Sequence, residues 1–137
     1  MKVLMMAVTR FAYTPGDKTL EDAEVVDQGA EYRDAMVAFI QVEEGDEEQG
    51  VASREKKLVN HVKWALRKNN LSRVVLHSFA HLSASKASVE FSRELFIEAE
   101  KRLKNGGIET WQTPFGYFLN LSLEAPGYSL ARIWADL

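Results

Sequence analysis

Two short stretches of the chain hold the residue types from which chemistry could be built. The first is His77-Ser78-Phe79-Ala80-His81-Leu82-Ser83, a small polar stretch that interrupts an apolar strand just before a helix. In sheets flanked by helices, ligands usually bind at strand ends, which makes His81 the candidate of this stretch. His77 and His81 lie four apart, a spacing that suits a metal only when both sit on one helical face. Here they flank the end of a strand, with no third ligand nearby and no cysteine anywhere, so no metal site is expected. His61 falls inside a helix and reads as a surface or boundary residue. The second stretch is Thr113-Pro114-Phe115-Gly116-Tyr117-Phe118. A proline and a glycine between two strands force a turn, with aromatics crowded around it. It reads either as a plain hairpin with core aromatics or as a rigid pocket wall. In the second case its backbone amides face a ligand, Gly116 permits close approach, and aromatic faces can stack on a nucleobase. Composition does not choose between the two.

Other constellations are missing. There is no glycine-rich phosphate loop, no G-x-S-x-G elbow and no H-E-x-x-H pair. Serines 78, 83, 85 and 88 are not tied by any pattern to a base and an orienting acid. With 137 residues the chain matches one domain and can bury a real core without staples. The lack of cysteine excludes disulfides, a thiol nucleophile and thiolate metal chemistry. No apolar run approaches the ~20 residues of a membrane span, which points to a soluble, intracellular protein. The net charge of -3 hides a segregation. Residues 1–50 carry 4 Lys and Arg against 12 Asp and Glu, residues 51–104 carry 12 against 5, and the remainder 1 against 3. The basic middle segment offers either a phosphate-facing surface or simply solvated helix faces.

The elements that must position these stretches follow from periodicity. Lys2–Val8 and Ala35–Val42 are apolar runs that predict buried strands, separated by an excursion over residues 12–34 with turn signals at Thr14-Pro15-Gly16-Asp17. The acidic run Glu43–Glu48 predicts a solvated loop. Leu58, Val62, Ala65 and Leu66 recur at helical spacing and predict a helix over 53–69 with Ser53 as its cap. A third strand begins at Val74–Leu76. A second helix runs from about Ser88 to Lys104, ended by Asn105-Gly106-Gly107. Ile108–Thr113 and Tyr117–Leu123 predict two strands joined near Pro114-Phe115-Gly116, and Pro126-Gly127 turns the chain into a last apolar segment, Tyr128–Trp134. The class is α/β or α+β, a mixed sheet with two main helices packed on it.

Phe79-Ala80-His81-Leu82-Ser83, followed some thirty residues later by Pro114-Phe115-Gly116-Tyr117, resembles the N-terminal editing domain of archaeal threonyl-tRNA synthetase. The start Met1-Lys2-Val3-Leu4, Val37-Ala38-Phe39-Ile40 with Val42-Glu43, and Gly127 with Leu130-Ala131 fit the same pattern over nearly the whole chain. The resemblance implies the D-aminoacyl-tRNA deacylase-like fold, a homodimer, and a cytoplasmic domain, residues 1–137, of a longer synthetase or editing protein. It implies hydrolysis of serine wrongly attached to threonine tRNA, the partner being the 3′ end of that tRNA. A synthetic site built for threonine cannot strongly reject serine, since one missing methyl is worth only ~1–3 kcal/mol. By the same resemblance His81 and Tyr117 are catalytic-site residues, while Val42, Ala80, Phe115, Gly116 and Phe118 hold the substrate. The terminal 2′-hydroxyl of the RNA helps to activate water. No cofactor is implied in this domain; ATP and zinc belong to a separate catalytic domain. The alternatives are a free-standing D-aminoacyl-tRNA deacylase and a catalytically silent tRNA-end-binding or dimerisation module. The chain departs from the pattern where the family carries a tyrosine, a lysine, a glutamate and an N-terminal histidine: here stand Phe118, Leu119, Arg132 and Ala7. The lysine and glutamate changes read as the coupled loss of one ion pair.

Overall fold

The computed structural model describes residues 1–137. The strands are β1 (Lys2–Lys18), β2 (Ala30–Gln41), β3 (Arg73–Ser78), β4 (Glu109–Gln112), β5 (Tyr117–Glu124) and β6 (Arg132–Asp136). The helices are α1 (Glu44–Gln49), α2 (Val51–Asn69) and α3 (Val89–Asn105), with one 3-10 turn at Ser129–Ala131. The strands form a single mixed sheet in the order β4-β3-β2-β1-β5. β2, β3 and β4 are parallel, joined through α2 and α3, whereas β1 is antiparallel to its neighbours. The long β1 pairs with β6 over Lys2–Met6 and with β5 over Arg10–Lys18. The expected α+β class is the one observed, with a third, short helix added. No helix is long and apolar enough to cross a membrane.

Alternation along β1 and β2 divides the apolar residues between two faces. Val3, Met5, Met36, Ala38 and Ile40 meet Leu58, Val62 and Leu66 of α2 and Leu95, Phe96 and Leu103 of α3 in the main core. On the other face Phe11, Val37, Phe39 and Val75 form a smaller cluster, flanked by Phe79, Leu82, Trp111 and Leu119. Ser88 caps α3, its hydroxyl accepting from the Phe91 amide at 3.2 Å. α2 begins at Val51 after Gly50 (φ 84°), so Ser53 lies exposed in its first turn and is not its cap.

Three further expectations are corrected. Thr14-Pro15-Gly16-Asp17 does not end the first strand: β1 runs through it and absorbs the irregularity as a register shift against β5 between Pro15 and Lys18. β4 and β5 are not a hairpin, because they lie at opposite ends of the strand order. The segment Thr113–Gly116 therefore crosses from one side of a curled sheet to the other. Lastly, Glu43–Glu48 is not a solvated loop. It supplies α1, and Asp46 is only 2% exposed. Its carboxylate lies 2.8 Å from Arg54 Nε, accepts from the Glu43 amide at 2.7 Å, and sits 3.2 Å from the terminal ammonium of Met1. A carboxylate can be buried when cations and amides replace its water.

Asp46→Ala leaves Arg54, itself buried, without its counter-charge. The expected loss is about 3–5 kcal/mol of unfolding free energy, read from urea denaturation midpoints.

Candidate active site

The curl brings the ends of β3 and β5 to one cavity of about 350 Å³. Ser78, Phe79, Ala80 and His81 form one wall, and Pro114 through Leu119 the other. Thr19 and Leu20, from the segment after β1, line it as well, together with His77 and Lys86. His81, Ala80, Phe115, Gly116, Tyr117 and Phe118 are thus gathered at one place. Val42 is not in that cavity. It lines a smaller, adjoining one of about 120 Å³ that shares Ser78, Ala80, Lys86, Val89 and Phe115 with it. The Val42 carbonyl accepts from the Ala87 amide at 3.0 Å.

The first wall leaves the ladder after Phe79, whose amide still donates to the Ile40 carbonyl at 2.9 Å, and the chain that follows it is held by Gln41. Its Oε1 accepts from the amides of Leu82 and Ser83, both at 2.6 Å, and its Nε2 donates to the carbonyls of Ser83 and Ser85 at 2.8 and 2.9 Å. Glu43 adds a second anchor, accepting from the Ser83 hydroxyl at 2.6 Å while its other oxygen lies 2.9 Å from the terminal ammonium. Burial raises the Glu43 carboxyl, but the hydrogen bonds from the ammonium and Ser83, with the charges of the ammonium and Lys2, outweigh it and hold it at about 2. Neither residue was a sequence candidate. A lone amide inside the apolar run AMVAFIQV was the available signal.

The second wall turns at Gly116, whose φ is 89°. A Cβ there would stand 2.9 Å from Ala23 Cβ and 3.2 Å from Leu20 Cβ, so glycine answers both the dihedral and the close approach. The Gly116 carbonyl accepts from the Thr19 amide at 2.7 Å. The Tyr117 hydroxyl donates to the Glu24 carbonyl at 2.8 Å and accepts from the Val26 amide at 3.1 Å. It thereby ties the 19–29 segment to the cavity.

The two histidines of the first stretch differ sharply. His77 is buried, its Nδ1 2.8 Å from Thr113 Oγ1 and its ring edge-on to Phe39; burial pushes its pKa down to about 4, so it is neutral near pH 7. His81 is exposed, stacked on Phe118 at 6.3 Å between centroids and edge-on to Phe79 at 4.9 Å. No group of three or more His, Asp or Glu side chains converges.

This arrangement has known relatives. The family model described as the Archaea-specific editing domain of threonyl-tRNA synthetase matches residues 1–137. The chain belongs to this family. Threonine--tRNA ligase of Thermofilum pendens is 30% identical over 136 residues, covering 97% of this chain and 22% of the relative. The ligase of Nitrosopumilus maritimus is 26% identical over 134 residues, covering 96% and 21%. The chain therefore spans about one fifth of the length of these relatives. Among solved structures, c-Myc DNA Unwinding Element Binding Protein superposes with a TM-score of 0.68 at 12% identity, covering 100% of this chain and 99% of the other. That likeness is one of fold, the D-aminoacyl-tRNA deacylase-like fold the resemblance implies.

Within the editing-domain family, the departures of this chain now have surroundings. Phe118 supplies the ring under His81, and Leu119 packs beside the smaller apolar cluster. Arg132 Nη1 donates to the Pro126 carbonyl at 2.6 Å, and Ala7 lies in the main core. Leu119 stands opposite Pro15 and Arg132 opposite Met6, nine residues apart on β1. That is roughly 30 Å along a strand, so the two positions are not one ion pair lost within the chain.

Gln41→Ala strands two amides and two carbonyls of the 82–85 segment. We expect a cost of about 1–3 kcal/mol, and hydrogen exchange at the Leu82 and Ser83 amides faster than at the β2 amides. Acid should act in two windows. Between pH 6.5 and about 4 the unfolded chain takes up a proton at His77 that the folded chain refuses, so stability falls as pH drops. Between 4.5 and about 2 the same holds for Glu43. Urea midpoints measured down a pH series should show both losses, and Glu43→Gln should flatten only the lower one.

Proposed function

We propose that this chain hydrolyses seryl-tRNA made in error on threonine tRNA and spares the threonyl ester. One observation carries the reading: both stretches that resemble the editing family line a single cavity, on which His81 and Phe118 stack. In this reading the terminal adenosine rests against the His81–Phe118 stack, since a base face gains about 1–3 kcal/mol from each aromatic partner. The seryl group enters between Ala80 and the Phe115-Gly116 turn, close enough to backbone for an added methyl to meet the wall. Lys86, exposed at the mouth and free of any ion pair, faces the terminal phosphate. His81 orients the ester and its attacking water. Tyr117, its hydroxyl bonded to the backbone of the 19–29 segment, is a positioning residue that keeps Leu20 against the cavity. The RNA 2′-hydroxyl supplies part of the proton handling, and holding it beside the ester is itself a large share of the rate. Val42 acts through the adjoining cavity, its backbone fixing Ala87 and with it the floor.

The domain uses no cofactor of its own in this reading. ATP and zinc serve a separate catalytic domain, in the four fifths of the relatives' length that this chain does not cover. It works in the cytoplasm as a homodimer: β6 is an edge strand, and Trp134 on it is 54% exposed, a surface that a second copy would cover. A second reading, a silent tRNA-end-binding module, draws on Phe118 and Leu119, which give the cavity hydrocarbon where the family carries a hydroxyl and an ammonium.

The deciding experiment is deacylation of Ser-tRNA and Thr-tRNA, both on threonine tRNA, by the dimeric chain and by His81→Ala. Selective loss of serine, slowed at least about tenfold in the variant, is expected. If neither ester is hydrolysed although the RNA binds, the silent module is the correct reading.

A further inference from the structure

α2 turns one face to the core and leaves the other without a partner. Arg54, Leu58, Val62, Ala65 and Leu66 point inward. The outward arc holds Lys56, Lys57, Asn60, Trp64, Arg67 and Lys68, all exposed. Its four cations enter no ion pair, although the chain forms eleven elsewhere. The one acid of the helix, Glu55, is buried and engaged by Arg102 of α3. Lys63 is set apart from this group. Its Nζ comes within 3.5 Å of where a Cβ on Gly106 would stand, at the C-terminal end of α3, where a cation is favoured. In the middle of the arc Trp64, 36% exposed, stacks on His61 with ring planes 11° apart. Burial pushes the His61 pKa down, so that ring adds an aromatic face and no charge near pH 7.

From Lys56 to Lys68 this face runs about 18 Å along the helix. It begins near the cavity end of the fold, because α1 precedes it there and binds the 83–88 segment through Ser85 and Ser88. Uncompensated cations spaced along a straight element, with an aromatic pair among them, match a phosphate backbone better than solvent or an apolar partner. We propose that the outer face of α2 is a second RNA-binding surface, which holds the phosphates of the tRNA whose 3′ end enters the cavity. The proposal rests on the editing reading for the identity of the RNA. Acidic residues concentrated in positions 1–50 repel the RNA elsewhere and leave this face as its track.

The test uses the 137-residue chain and deacylated threonine tRNA, with binding followed by fluorescence anisotropy across a salt series. Lys56→Gln with Lys57→Gln, and Arg67→Gln with Lys68→Gln, should each weaken binding severalfold. Each should also reduce the salt slope by about 0.7–0.9 for every cation that had met a phosphate. Lys101→Gln with Lys104→Gln on α3 removes as much charge and should change both far less. All these positions are exposed, so the fold is kept, and a thermal melt verifies it. Unchanged affinity and slope in both α2 variants would overturn the proposal, as would an equal loss in the α3 control. Hydrolysis of a seryl ester of a short CCA-ending oligonucleotide, too short to reach α2, separates this from the editing reading. All variants should retain it at the wild-type rate. Its absence in the unsubstituted chain would defeat the editing reading while the salt series still judged the RNA surface.

Discussion

The 79–86 segment has to be held against the sheet by something other than strand pairing, and nearly everything at the cavity depends on how that is done. A loop that folds over a sheet face carries amides and carbonyls that cannot be left dry. Gln41 meets four of them with one side chain, two as acceptor and two as donor. A primary amide is the side-chain group able to accept two bonds and donate two at once, and a carboxylate of the same length would lose the two donated bonds. Glu43, two residues on, takes the Ser83 hydroxyl. Val42, just past the end of β2, is left to the main core. Gln41 and Glu43 thus serve the loop, and Val42 between them serves the helix side.

The second wall is placed by topology. β4 and β5 lie at opposite ends of the strand order, yet only four residues join them. That connection is possible only if the sheet curls until its two sides approach. The turn at Gly116 then lies against Leu20 and Ala23 and fills part of the gap. The cavity is what remains between two sides brought together by one short link. Its shape follows from strand pairings tens of residues apart, so it forms only when the whole sheet has formed.

This explains which parts were legible in the sequence. The two long helices were, because Leu58, Val62 and Leu66, or Phe91, Leu95 and Ala99, repeat within one element. So were β3 and the second half of β2, as apolar runs, whereas polar Ala30–Asp34 owes its strand to pairing with β1. The His81 and Gly116 stretches stood out through local irregularity, a polar break in one strand and a Pro-Gly turn after another. What was hidden depended on distant partners. Asp46 can be buried because Arg54 and the terminal ammonium reach it, and neither is visible in a run of acidic letters. β1 continues through Pro15 and Gly16 because β5, a hundred residues later, pairs beside them; a Cβ on Gly16 would stand 2.8 Å from the Phe118 carbonyl oxygen. Gln41 looked like the end of a strand until its partners, some forty residues away, came into place.

Electrostatics separates the cavity from the outer face of α2. The cavity itself is lined largely by hydrocarbon and by groups neutral near pH 7, His77 among them. Its one ammonium stands at the edge, at Lys86, and the unpaired cations of α2 lie on the helix layer. A low-polarity cavity strengthens whatever hydrogen bonds a bound ester makes, while long-range attraction needs cations exposed to water. Placing both in one pocket would oblige the cations to give up hydration, which costs more than their attraction returns. Phe118 and Leu119 follow that division, placing hydrocarbon on the cavity side while the unpaired cations stand on α2.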